Sequence, residues 1–287
     1  MAFKKLLVPL NGGGADEVVL ETTIAAARRF GAHVEALFVR ADPKETLPFL
    51  ISTVPTSVKD MVIEAADKSS HDRADQARTT FEQWCANHQV PIVNTPGRLD
   101  GPSASWFEDT GSVSGAIVRR GRVSDMVVLP RPERPSPAPE GLEAALLKTG
   151  RPVLVVPSTP QSCIASHVVI GWNGSDEAAR AVGAVISCLH AAEAVTVLTG
   201  RKSAELKRPN AQDLVDYLAW HGIKATAQVF DSHAKSAGEG LLHTAHELEA
   251  DLLVLGGYSH SRARELMVGG VTRYMLAEAD IPVIMAH

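Results

Sequence analysis

Three short strings in the first half of the chain return, in the same order, in the second. Leu6-Leu7-Val8-Pro9-Leu10-Asn11-Gly12 is answered by Val168-Val169-Ile170-Gly171-Trp172-Asn173-Gly174. Ser124-Asp125-Met126-Val127-Val128-Leu129 is answered by Ala250-Asp251-Leu252-Leu253-Val254-Leu255, and Arg151-Pro152-Val153-Leu154-Val155-Val156 by Ile281-Pro282-Val283-Ile284-Met285-Ala286. One shared apolar run is chance, but three in order point to two copies of one domain. A chain of 287 residues is long enough for two such cores. The polar stretch Ser158-Thr159-Pro160-Gln161-Ser162 breaks the periodicity, so the expected division is 1–157, a linker at 158–166, and 167–287. The copies part company after the second string. The second runs from Leu255 into a glycine-rich segment, Gly256 to Thr272. The first runs from Leu129 into Arg131-Pro132-Glu133-Arg134-Pro135. Function is expected where the copies differ.

Strand signals stand out at Leu6–Leu10, His33–Val39, Met126–Leu129 and Pro152–Val156. In the second half they stand out at Val168–Trp172, Ala194–Thr199, Ala225–Phe230, Asp251–Leu255 and Ile281–Met285. Most are continuous apolar runs, the pattern of parallel strands covered on both faces. Helical patterns lie between them at Asp16–Phe30, Ser57–His88, Ser175–Ala192, Ala211–His221, Ala237–Glu249 and Arg273–Ala279. Such alternation predicts an α/β fold of two tandem doubly wound domains, each a five-stranded parallel sheet flanked by helices. Asn11 to Asp125 spans 114 positions and Asn173 to Asp251 only 78. The surplus is expected in Asp42–Pro55, Ser57–His88 and Pro91–Pro102. Arg131–Glu140, with four prolines, reads as an exposed, semi-rigid loop.

A net charge of −5 argues against a nucleic-acid partner, which needs a dense basic face. No apolar run is long enough to span a bilayer, and the run behind Lys4-Lys5 breaks at Pro9, too soon for a signal-peptide core. The reading is a cytoplasmic protein with no membrane partner. Cys85, Cys163 and Cys188 are widely separated, and neither they nor the eleven histidines show metal-ligand spacing, so no metal site is expected.

Glycines let backbone N–H groups approach an anion, and Gly269-Gly270-Val271-Thr272 leads into a helix N-terminus that favours phosphate. In an open α/β sheet, ligands sit at the carboxyl ends of the strands where strand order reverses. That rule brings the loop after the first strand, Gly171-Trp172-Asn173-Gly174-Ser175, against Gly256, Ser259, His260, Arg262 and Gly269–Thr272, with Thr199 at a neighbouring strand end. The bland alternative is that these glycines only permit tight turns. No catalytic residue is assigned. Gly111-Ser112-Val113-Ser114-Gly115 has valine where a nucleophile elbow needs serine, and reads as a loop and helix cap. Beside Ser259, His260 is better suited to contacting phosphate than to acting as a base.

The second half resembles the universal stress protein A family, on Val169–Ser175, Asp251–Thr272 and Ile281-Pro282-Val283. Gly256-Gly257-Tyr258-Ser259-His260-Ser261-Arg262 followed by Gly269-Gly270-Val271-Thr272-Arg273 is similar to tandem-domain bacterial members. The family's ATP signature is Gly, two residues, Gly, nine residues, Gly, then Ser or Thr. Gly256 and Gly269 keep their places, Ser259 replaces the second glycine, and Gly270 stands where Ser or Thr is expected. Asn173 and Asn11 stand where nucleotide-binding members carry a ribose- and metal-supporting aspartate.

The resemblance implies a Rossmann-like fold of the adenine-nucleotide-binding type. It also implies a pseudo-dimer within the chain, paired through the last strand of each copy, and leaves a larger homo-oligomer open. It implies a stress-response protein that is not an enzyme and takes ATP or another adenine nucleotide in the second domain. Because Asn173 lacks a carboxylate, magnesium is not firmly expected. The first copy reads as degenerate. The competing readings are a nucleotide-free scaffold or protein-interaction module and, behind it, a weak ATPase.

Overall fold

A computed structural model describes residues 3–40, 56–97, 101–133, 139–205, 207–231, 236–257 and 270–287. The expected insert Asp42–Pro55, Arg134 with most of its proline loop, and the middle of the glycine segment lie outside the described residues.

Strands β1 (Lys5–Leu10), β2 (His33–Arg40), β3 (Ser103–Thr110), β4 (Met126–Pro130) and β5 (Val153–Val156) form a parallel set in the order β3-β2-β1-β4-β5. Strands β6 (His167–Gly171), β7 (Ala194–Gly200), β8 (Thr226–Phe230), β9 (Leu252–Gly256) and β10 (Val283–Ala286) repeat that order as β8-β7-β6-β9-β10. The two sets meet at an antiparallel pairing of β5 with β10, so the ten strands make one continuous sheet with two doubly wound halves. This is the pairing through last strands that the resemblance implies.

The helices are α1 (Ala15–Phe30), α2 (Thr56–His88), α3 (Val113–Gly121) and α4 (Glu140–Lys148) in the first half. In the second they are α5 (Asp176–Leu189), the single turn α6 (Arg201–Ala204), α7 (Ala211–Trp220), α8 (Ala237–Glu247) and α9 (Gly270–Glu278). They cover both sheet faces, and one apolar cluster on each face runs across both halves. Most of the extra length of the first half is α2, which has 33 residues against 10 in α7.

The repeat extends to its hydrogen bonds. Asp125 accepts the N–H groups of Lys4 at 2.7 Å and Lys5 at 2.9 Å, tying β4 to the start of β1. Asp251 does the same for Ser166 at 2.9 Å and His167 at 2.9 Å, tying β9 to β6. A strand entry in each half is thus held by one carboxylate that satisfies donors the ladder leaves open.

Among the described residues, the first half also carries a feature without a counterpart. Glu35 on β2 is 5% exposed and receives Lys5 Nζ at 2.9 Å and the Arg120 guanidinium of α3, with Arg120 Nε at 2.7 Å. Arg120 lies over the Phe107 ring, 4.1 Å from its centre. Burial pushes the Glu35 pKa up, but the hydrogen bonds and charges of Arg120 and Lys5 outweigh it and hold the carboxyl below its ordinary value. A depressed folded-state pKa means stability that is present above the unfolded pKa and lost as pH falls through the folded one. Glu35→Ala leaves two cations facing a desolvated gap and is expected to cost about 3 kcal/mol at neutral pH. The cost should shrink in acid, and urea unfolding of both proteins at pH 7 and below pH 4 checks it.

Candidate functional site

The order of each half reverses between its first and fourth strands. In the second half the crevice therefore opens at the ends of β6 and β9. There the chain turns sharply. Trp172 N–H donates to Leu198 O at 2.8 Å and its indole Nε1 to Pro209 O at 2.9 Å, which anchors the loop on β7 and the segment before α7. Asn173 Oδ1 accepts the Ser175 N–H at 3.1 Å. Gly174 has φ +66°, and a Cβ there would lie 2.7 Å from Pro209 O, so glycine is required on two counts. Ser175 caps α5 by accepting Ala178 N–H at 3.3 Å. Gly256 ends β9 directly against this cap. A Cβ there would lie 2.5 Å from Ala178 N and 2.8 Å from the Glu177 carbonyl carbon.

These contacts wall a cleft of about 180 Å³. Gly171, Trp172, Asn173, Ser175, Gly256, Gly270, Val271 and Thr272, all expected from the sequence, line it. Ser259, His260, Arg262 and Gly269 lie outside the described residues. Two expected residues do not join the lining. Gly174 is used up in the turn against Pro209. Thr199 is 2% exposed and points to the opposite face of the sheet from Leu198, as strand alternation requires; its hydroxyl has no hydrogen-bond partner among the described residues.

Sequence reasoning missed the apolar floor. Leu198, Phe230, Leu241 and Leu255 form it, with Gly200, Ser203 and Ala237 along the side away from Gly256. Leu198, Phe230 and Leu255 lie in runs already read as strands. The signal was available in their position near strand ends at a switch point, where the crevice must collect them.

The two copies differ in what their first loop does with its N–H groups. In the first copy Asn11 Oδ1 accepts the Gly13 N–H at 2.8 Å, as Asn173 does for Ser175. But Asp16 then folds its carboxylate back onto the Asn11 N–H at 3.1 Å and the Gly12 N–H at 2.8 Å. Burial pushes the Asp16 pKa up, and bonds from Asn11, Gly12 and Gly13 offset part of that. Five residues beyond Asn173 the second copy has Ala178, and within the described residues the Asn173 and Gly174 N–H groups make no hydrogen bond. The first copy thus satisfies these loop N–H groups with its own carboxylate, and the second has no such acceptor at the equivalent position. Among the described residues no cluster of His, Cys, Asp and Glu could hold a metal, and no helix is long and apolar enough to cross a membrane.

Residues 165–287 match the model of the universal stress protein family. Over its full length the chain is similar to a universal stress protein from Archaeoglobus fulgidus DSM 4304, at TM-score 0.66 and 12% identity, covering 98% of this chain and 97% of the other. A functionally unknown protein from Pseudomonas aeruginosa PAO1 gives TM-score 0.56 at 12% identity, with 99% and 92% covered. Those identities establish the tandem fold and no more. No curated protein matches the chain significantly.

Two glycines in this region should respond oppositely to a methyl group. Gly256→Ala forces backbone apart at the mouth of the cleft and is expected to destabilise by about 1–3 kcal/mol. Gly183, inside α5 with nothing within 4 Å of an added Cβ, should gain roughly 0.4–1 kcal/mol as alanine. Denaturant midpoints of the two variants against the parent check both signs.

Proposed function

We propose that the chain is a cytoplasmic stress-response protein that binds one adenine nucleotide per molecule, in the cleft of its second domain, and does not turn it over. The observation that carries this reading is that one cleft is lined both by Asn173, whose N–H makes no hydrogen bond among the described residues, and by the first described turn of α9, Gly270–Thr272. Backbone donors and a helix dipole favour phosphate. The apolar floor at Leu198, Phe230 and Leu255 suits the face of a base. The match of residues 165–287 to the universal stress protein family model and the ATP-signature glycines Gly256 and Gly269 support it. Residues 1–157 form, on this reading, the first domain, of the same type, whose loop is closed by Asp16, with 158–166 as the linker.

Asn173 shapes the chemistry. Its carbonyl oxygen supports the turn, and its amide adds no negative charge for a hard cation, which prefers anionic oxygen ligands. Binding is therefore expected without magnesium, and hydrolysis at background. Calorimetry with AMP, ADP and ATP, with and without magnesium, should return a stoichiometry of one. Asn173→Asp should add a metal-dependent gain of about tenfold for ATP, the scale of one charge-assisted contact. No binding by either protein would favour a nucleotide-free scaffold, and robust magnesium-dependent hydrolysis by the parent would overturn the non-enzymatic reading.

A further inference from the structure

The copy that lacks the glycine loop reaches across the seam to the helix that completes the other copy's cleft. Arg131 and Gly257 are equivalent positions. Arg131 N–H donates to Val156 O at 2.7 Å, and Gly257 N–H to Ala286 O at 2.8 Å, each just beyond the fourth strand of its half. From that point the Arg131 side chain leaves its own half and donates through Nη1 to the carbonyl of Ala277. Ala277 lies in the last turn of α9, the helix whose first turn lines the cleft.

The last four carbonyls of a helix have no partner within it, and a cation there also meets the negative end of the helix dipole. Arg131 supplies both the donor and the charge. Gly257 has no side chain with which to return the contact, so the clamp runs one way. α9 has nine residues and is about 13 Å long, short enough to move as a rigid rod. Its flank is fixed by close packing on α8, where a Cβ on Gly238 would come within 2.5 Å of Tyr274 Cβ. The rod therefore has a fixed flank and a gripped tail, and its first described turn, Gly270–Thr272, lines the cleft.

We propose that Arg131 is a positioning residue for the anion site: the first half grips the C-terminus of α9 and thereby sets where the donors of Gly270–Thr272 stand. On this account the loss of a glycine loop in the first copy installed an arginine that serves the second. The proposal rests on the nucleotide reading above.

The test uses the full chain with Arg131→Met, which keeps much of the apolar stem and removes the charge and donors, and Arg131→Lys, which restores a cation. Hydrogen exchange across 270–278 is measured without ligand, ATP and AMP affinities by calorimetry, and global stability by urea unfolding. Arg131→Met is expected to speed exchange in 270–278 alone and to weaken nucleotide binding about fivefold, the range found for residues that couple to a ligand they do not touch. The urea midpoint should stay near that of the parent, and Arg131→Lys should recover part of both losses. Unchanged exchange in 270–278 would overturn the clamp, as would uniformly faster exchange with affinity falling in step with global stability. If the parent binds neither nucleotide, the functional reading fails by itself. Exchange then still decides the clamp: acceleration confined to 270–278 upholds it, and none overturns it.

Discussion

The antiparallel pairing of β5 with β10 is the constraint on which the rest depends. Each half ends its parallel sheet on a short, fully buried apolar strand, Val153–Val156 or Val283–Ala286, that would otherwise present an open edge. Val155 lies opposite Val283, Leu154 opposite Ile284 and Val153 opposite Met285. The pairing removes both edges and joins the apolar layer on each face into one cluster. It also brings the end of β4 close to α9, and with it the contact from Arg131 to Ala277.

Within this symmetric frame, small substitutions make the halves unlike. A carboxylate at Asp16 satisfies the first loop internally, while Ala178 at the equivalent position of the second loop offers no such acceptor. An arginine at 131 replaces a glycine at 257 and turns a loop position into a cross-seam contact. Neither change disturbs the shared strand-entry bonds at Asp125 and Asp251, which belong to the frame. The two halves thus share one frame and differ in the local chemistry of equivalent loops.

Most of the strands that sequence reasoning found are buried on both faces, because continuous apolar runs such as Leu252–Leu255 have no other stable home; β8, exposed along Thr226–Val229, was legible from its alternation with helices instead. β3 escaped because it is an edge strand of mixed character. Glu108 and Asp109 are paired to Arg40 and Arg119 rather than buried in an apolar run, and the aromatic packing of Trp106 on Phe38 and Phe81 is invisible in one dimension. α3 was legible only in its cap, where Ser112 accepts the Gly115 N–H at 3.3 Å. α4 was missed because the prolines before it mask its start. At the site, the turn and the glycines were legible because their backbone requirements are encoded locally. The floor at Phe230 and Leu241 and the Asp16 plug were not, since both depend on which segments the topology brings together.

The central claim is that the second copy's loop is open to an anion and the first copy's is closed. Backbone amide NMR shifts during an ATP titration test it directly. The account predicts movement at Asn173, Gly174 and 270–272, with Asn11, Gly12 and Gly13 unmoved. Shifts at Asn11–Gly13, or a silent loop at Asn173 and Gly174 while the nucleotide binds, would contradict it.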